Sequence, residues 1–132
     1  MSVPYLEKSI AISPDDIDRL NHVNNIVYLK WVQELAISHW QRDAAPEEQS
    51  SVLWVVIRHE IDYKRSAKLG DEIIGKTWVG EASDKSFQRH TEIRRKKDDK
   101  VLAKALTFWC PIDAITLKPT SVNSQLRKRF SV

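Results

Sequence analysis

Asp16 to Arg42 reads DIDRLNHVNNIVYLKWVQELAISHWQR, and its second half is the one long amphipathic helix that the chain predicts. Tyr28, Val32, Leu35, Ala36, His39 and Trp40 recur at steps of three and four, which lays them along one side of a helix. Lys30, Gln33, Glu34, Ser38 and Gln41 fall largely off that stripe. A helix of about seventeen residues is a rod of roughly 25 Å. Asn24 or Asn25 can cap its start, the side-chain oxygen accepting a backbone N–H that has no partner inside the helix. The ten residues that feed the helix hold two carboxylates (Asp16 and Asp18), one histidine (His22) and three asparagines. Such a cluster can hold an anion or a polarised carbonyl, because the first N–H groups and the helix dipole both present positive charge there.

Outward from the helix the chain reads as strands. Tyr5 to Ile12 alternates, and Pro14 ends it by lacking an N–H and restraining Ser13. Asp15 to Asn24 has no sustained period and reads as a loop, as does Ala44 to Ser51 beyond the helix. Val52 to Tyr63 starts as a solid apolar run and then alternates, with Ile57, His59, Ile61 and Tyr63 on one face. Glu72 to Val79 is the next strand, after a connector from Lys64 to Gly70. Phe87 to Arg95 follows, with Phe87, Arg89, Thr91 and Ile93 on one side. The charged tip Lys96–Lys100 reads as a hairpin turn before Val101 to Cys110, which Pro111 is expected to stop. Val122 to Phe130 can form a short terminal helix. With one helix and hairpin-like spacing between strands, the order β-α-β-β-β-β predicts an α+β domain in which an antiparallel sheet packs on one helix.

Composition narrows the setting. A length of 132 residues predicts one domain, residues 1–132, with a single core. The apolar fraction of 42% is slightly low for a globular chain, which suggests apolar surface shared between subunits. A net charge of +3 suits an anionic ligand such as a nucleotide cofactor and is too small to argue for nucleic acid. The single cysteine, Cys110, excludes an intrachain disulfide and a cysteine-based zinc framework, and suits a reducing cytosol. No apolar segment follows Met1, so no signal peptide is expected. The longest apolar run, Val52 to Ile57, is far short of the ~20 residues that span a bilayer. A cytoplasmic protein without membrane contact is the expectation.

Several chemistries are excluded by what is missing. The three glycines, Gly70, Gly75 and Gly80, form neither a dinucleotide-binding turn nor a phosphate loop. No G-x-S-x-G elbow is present, and the four histidines lack metal-ligand spacing, so no metal is expected. What remains is Asp16-x-Asp18-x-x-x-His22-Val23-Asn24-Asn25. A returning loop can aim the Asp18 carboxylate at the first N–H groups of the helix, which can stabilise an oxyanion. That pairing suits hydrolysis of an activated acyl group, with the carboxylate as nucleophile or as general base for water. The plainer alternative is that Asp16, Asp18 and Asn24 only cap the helix and complement its dipole.

The segment DIDRLNHVNNIVYLKW resembles the D-x-D-x-x-G-H-V-N-N-x-x-Y-x-x-W signature of the hotdog-fold acyl thioesterases, the group of 4-hydroxybenzoyl-CoA and plant acyl-ACP thioesterases. His59 to Asp71 and Lys85 to His90 resemble two further blocks of that family, in family order. The resemblance implies a long central helix wrapped by an antiparallel sheet of about five strands, in subunits that pair their sheets edge to edge as a homodimer or homotetramer. It implies hydrolysis of acyl-CoA, or of the acyl-carrier-protein thioester, to a free acid without a cofactor. Asp18 matches the catalytic carboxylate, and the backbone N–H near Asn25 matches the donor that polarises the thioester carbonyl. His22 and Asn25 fall where family branches place assisting polar residues. Tyr63 belongs to the second block, and Lys85 and Ser86 would face the phosphates of CoA. Asn21 stands where many members have glycine, and asparagine tolerates the left-handed conformation. Some members instead use a carboxylate on the helix, where this chain has Glu34.

His39, on the apolar stripe, reads as a core residue, and His59 and His90 read as structural. A non-catalytic acyl-thioester-binding protein is the competing function. A hydratase of the same fold would need aspartate and histidine five residues apart with an intervening proline, which Asp18 and His22 do not supply.

Overall fold

The computed structural model describes residues 3–132. In chain order these form β1 (Tyr5–Ile10), a short 3-10 turn (Pro14–Asp16), α1 (Asn25–Asp43), α2 (Pro46–Ser51), β2 (Val52–Tyr63), β3 (Ile73–Ala82), β4 (Phe87–Arg95), β5 (Lys100–Asp113) and α3 (Ser124–Phe130). The strands make one antiparallel sheet in the order β1-β3-β4-β5-β2, and α1 lies against one face of it. This is the α+β architecture expected from the patterning.

Helix α1 runs for 19 residues and buries Tyr28, Trp31, Val32, Leu35, Ala36 and His39. Trp31 widens the predicted stripe: it packs edge-on against Tyr28, with ring centroids 5.2 Å apart. The helix comes so close to β3 that a Cβ on Gly75 would lie 2.6 Å from Leu35 Cδ1. Glycine is needed there for space.

The core has two apolar clusters. One, around Val23, Tyr28, Trp31, Leu35, Ile73, Ile93 and Leu102, lies under the entrance of α1. The other, around Ala44, Val79, Phe87, Leu126 and Phe130, lies under its exit, with Trp40, Trp54 and Trp109 packed against it. Between them, on the face that alternation turns inward, the strands place Thr77, Arg89, Thr91 and Thr107, all buried. His39 drops from the helix onto this polar belt.

Three local expectations are corrected. The exit loop Ala44–Ser51 contains α2: Glu48 Oε1 accepts the Ala45 N–H at 2.7 Å and Pro46 stands in the first turn, so a helix start is built into what reads as polar loop. Strand β5 does not stop at Cys110 but runs through Pro111 to Asp113. Beyond Trp109 it has left β4: one side stays paired with β2, and the other meets the returning chain through the Ile112–Pro119 bridge, where Pro111 serves as an acceptor, its O taking the Thr120 N–H at 3.0 Å, so a residue without an N–H is accommodated. In β2, the register shifts between Val56 and Arg58, so Ile57 sits in a bulge with 61% exposure and does not share the face of His59 and Ile61. Smaller shifts end β1 at Ile10 and extend β3 to Ala82.

Candidate active site

The loop before α1 folds back on itself through a bridge between Ile17 and Val23. Asn21 makes the turn with φ of 62°, the left-handed conformation that glycine supplies elsewhere and that asparagine can adopt. Asp18 organises the return: its Oδ1 accepts the N–H groups of Leu20 at 2.9 Å and His22 at 3.2 Å, and its own N–H donates to His22 O at 2.8 Å. Among the described residues, Asp18 Oδ2 has no hydrogen-bond partner. One carboxylate oxygen is therefore locked and the other is available, on a half-exposed side chain.

The loop is tied to the rest of the fold by Asn24 N–H donating to Asp16 O and Val23 N–H donating to Ala67 O, both at 2.8 Å. Asn24 is the cap, its Oδ1 accepting the Ile26 N–H at 3.2 Å. Asn25 is the first helical residue, and its backbone N–H has no acceptor among the described residues. Tyr63, at the end of β2, donates its hydroxyl to Asn25 O at 3.1 Å and packs edge-on against Tyr28, whose hydroxyl accepts the Ala67 N–H at 3.0 Å. Asp18, His22, Asn25 and Tyr63 thus gather at the entrance of α1. The arrangement offers an oxygen base, an unpaired N–H at the positive end of a helix and a half-exposed histidine.

Lys85 and Ser86 lie elsewhere. They belong to the turn between β3 and β4, where Ser86 O accepts the Ser83 N–H at 2.8 Å and Lys85 O accepts the Cys110 thiol at 3.2 Å. That turn adjoins the exit-end cluster, a sheet length away from Asp18 within one chain. Glu34 is exposed and faces Lys30 at 3.9 Å, the arrangement of a solvated helix side.

Sequence reading missed a cavity of about 520 Å³ between the second half of α1, α2 and strands β2, β4 and β5. Its walls include Ala36, Trp40, Trp54, Phe87 and Trp109, and also Arg89. Arg89 Nη1 donates to His39 Nδ1 at 2.8 Å and to Thr77 Oγ1 at 3.2 Å. On the other side of the imidazole, His39 Nε2 lies 3.3 Å from Asp43 Oδ2, and Asp43 is paired with Arg42. Burial, and then the neighbouring Arg89 charge, push the His39 pKa down to about 4, so the ring is neutral and stands between a guanidinium and a carboxylate. The only forewarning in the sequence was an arginine at an inward position of a strand. Among the described residues, no group of three His, Cys, Asp or Glu side chains could hold a metal ion, and no helix is long and apolar enough to cross a membrane.

Residues 12–130 match the family described as the thioesterase-like superfamily. The long-chain acyl-CoA thioesterase FadM of Escherichia coli K12 is 26% identical, over 95% of this chain and 96% of its own length. A thioesterase from Thermus thermophilus, solved with coenzyme A and zinc, is also 26% identical, with a TM-score of 0.81 over 96% of this chain and 92% of that one. A 1,4-dihydroxy-2-naphthoyl-CoA thioesterase from Synechocystis, 17% identical, shares the fold with a TM-score of 0.82 over 96% of this chain and 95% of its own. The helix cradled by an antiparallel sheet is the hotdog fold, and with the family matched over nearly the whole length, this chain belongs to the thioesterase-like superfamily.

Proposed function

We propose that this protein is an acyl-CoA thioesterase that releases a free carboxylic acid and CoA, with its chemistry at the entrance of α1. The observation that carries the reading is the pairing of a half-free Asp18 carboxylate with the unpaired Asn25 N–H at the start of a helix. The thioester carbonyl oxygen accepts the Asn25 N–H, so the charge that develops on it meets the positive end of the helix dipole. Asp18 Oδ1 stays fixed by two backbone donors while Oδ2 acts. As general base, Oδ2 takes a proton from water as the water oxygen bonds to the carbonyl carbon. The C–S bond then breaks, and the proton passes to the departing thiolate. As nucleophile, Oδ2 would itself bond to the carbon and form a mixed anhydride that water opens. Single-turnover hydrolysis in ¹⁸O-labelled water tests for the nucleophilic route, since label in Asp18 can come only from water opening the anhydride at the Asp18 carboxyl carbon. His22 assists at the loop, and Tyr63 holds the first helical turn through Asn25 O.

Lys85 and Ser86 fit a role in gripping the CoA phosphates only if a second copy brings them to this entrance. Strand β2 is suited to such pairing: it is an edge of the sheet, 12 residues long, and exposes Leu53, Val55 and Ile57. A homodimer or homotetramer formed along β2, acting in the cytoplasm, completes the proposal. Acyl carrier protein presents the same thioester arm and is the alternative acyl donor.

Thiol release from a panel of acyl-CoAs, with wild type and Asp18→Ala side by side, tests the assignment. Turnover by wild type and its collapse in the variant are expected. No turnover by wild type, or an unimpaired variant, sinks it. An acyl-thioester-binding protein without catalysis would instead show binding by calorimetry and no thiol release.

A further inference from the structure

Arg89 is 95% buried, the complement of its 5% exposure, and it lines a cavity whose other walls are mostly aromatic and aliphatic. Its protein partners account for one of its nitrogens: Nη1 reaches His39 Nδ1 and Thr77 Oγ1, both neutral acceptors. Among the described residues, Nε and Nη2 have no acceptor, and no carboxylate lies within ion-pair distance of the guanidinium. The nearest compensation is Asp43, one imidazole away and already shared with Arg42. Burial lowers the Arg89 pKa to about 10, so the group stays charged at neutral pH. Trp54 and Trp109, which wall the same cavity, also have buried indole N–H groups without acceptors. The cavity is apolar in shape and donor-rich in chemistry.

A plain hydrocarbon end placed there would keep the guanidinium from water and give nothing back, whereas an oxygen anion would receive charge-assisted hydrogen bonds from the unused side of the fork. We propose that this cavity receives the acyl group and that Arg89 selects acyl chains carrying an oxygen acceptor, above all a carboxylate, at the end remote from the thioester. This inference rests on the thioesterase reading for its substrate but concerns the opposite end of α1. Ala36 stands eleven residues beyond Asn25, roughly 16 Å along the helix, a span that a medium-length acyl chain covers. Arg89 is a specificity residue here and takes no part in the bond-breaking step.

The test compares decanoyl-CoA with its ω-carboxy counterpart of equal length, for wild type, Arg89→Met and Arg89→Lys. Wild type is expected to favour the carboxylated chain by about 10- to 100-fold in kcat/KM, carried mainly by KM. Arg89→Met is expected to abolish that preference while turning over decanoyl-CoA, and Arg89→Lys, which keeps the charge but loses the fork, to retain part of it. Equal rates on the two substrates or a preference for decanoyl-CoA in wild type overturns the proposal, as does a folded Arg89→Met that keeps the preference. If Arg89→Met does not fold, the wild-type ratio and Arg89→Lys decide. If wild type hydrolyses neither substrate, the thioesterase reading falls separately. Calorimetry with free sebacate then judges the cavity: binding that Arg89→Lys weakens upholds it, and no binding ends it.

Discussion

At the entrance of α1 the polar groups are half-exposed and incompletely paired, whereas at its exit the side chains of Arg89, His39 and Asp43 are buried side by side. Asp18 Oδ2 and the Asn25 N–H can be left without protein partners cheaply, because water solvates them until a ligand arrives. Behind α1 there is no such relief. Here the guanidinium is held by a neutral imidazole and a threonine hydroxyl, and the far side of the imidazole lies 3.3 Å from Asp43. The contrast teaches where unused hydrogen-bonding capacity is informative. At a solvated helix start it is ordinary and becomes meaningful only beside a positioned base, whereas on a buried arginine it is costly enough to demand a partner.

The largest effect is expected from Asp18→Asn, which keeps the Oδ1 acceptor for Leu20 and His22 but removes the proposed base. A loss in kcat of about 10²- to 10⁴-fold with a nearly unchanged melting temperature is expected from thiol-release assays and calorimetric scans. A comparable loss of stability would mean that Asp18 serves the loop and not the reaction.

The exit end is read through pH. His39 titrates at about 4 in the folded protein, against an ordinary 6.5, because of burial first and Arg89 second. Acid therefore protonates the unfolded chain before the folded one. The His39 contribution is fully present above about pH 6.5 and drains as pH falls towards 4, by an amount on the order of 3 kcal/mol. Urea unfolding at pH 7.5 and 4.5 should show a larger acid loss for wild type than for His39→Gln.

Midway along the helix, Gly75→Ala should cost about 1–3 kcal/mol, because its Cβ would drive into the buried Leu35 side chain, with Ile10 Cδ1 also only 2.9 Å away. Denaturant midpoints at constant slope measure it, and a neutral result would show that helix and sheet can separate there. The smallest effect is expected at the entrance. Tyr63→Phe removes one exposed hydrogen bond to Asn25 O and should change stability by less than about 1 kcal/mol, while raising KM more than it lowers kcat.

Much of the framework was legible in residue order. The three- and four-residue steps from Tyr28 to His39 wrote the helix, and alternation in Phe87, Arg89, Thr91 and Ile93 wrote an inward strand face; all of these are buried. The Asn24 cap and the left-handed Asn21 turn were equally local matters of backbone chemistry. The bulge at Ile57 and the passage of β5 through Pro111 were not legible, because each depends on which strand lies alongside. Gln49 shows the same limit in α2: its Nε2 donates to Ala44 O at 3.0 Å, a contact set by how the chain leaves α1.

The candidate site divides along the same line. Asp18, His22 and Asn25 are close in sequence, so one loop and one helix start bring them together, and Tyr63 joins them through the end of an edge strand. The meeting of His39 with Arg89 spans fifty residues. No periodicity encodes it: it exists because Arg89 pairs with Thr107 on β5, reaches Thr77 diagonally on β3, and α1 lays His39 across them. Local sequence determined the elements and the loop of the candidate active site. Only the sheet register and the placement of the helix decided that a buried, half-used cation faces a cavity, because that juxtaposition is a property of strand pairing and not of any one segment.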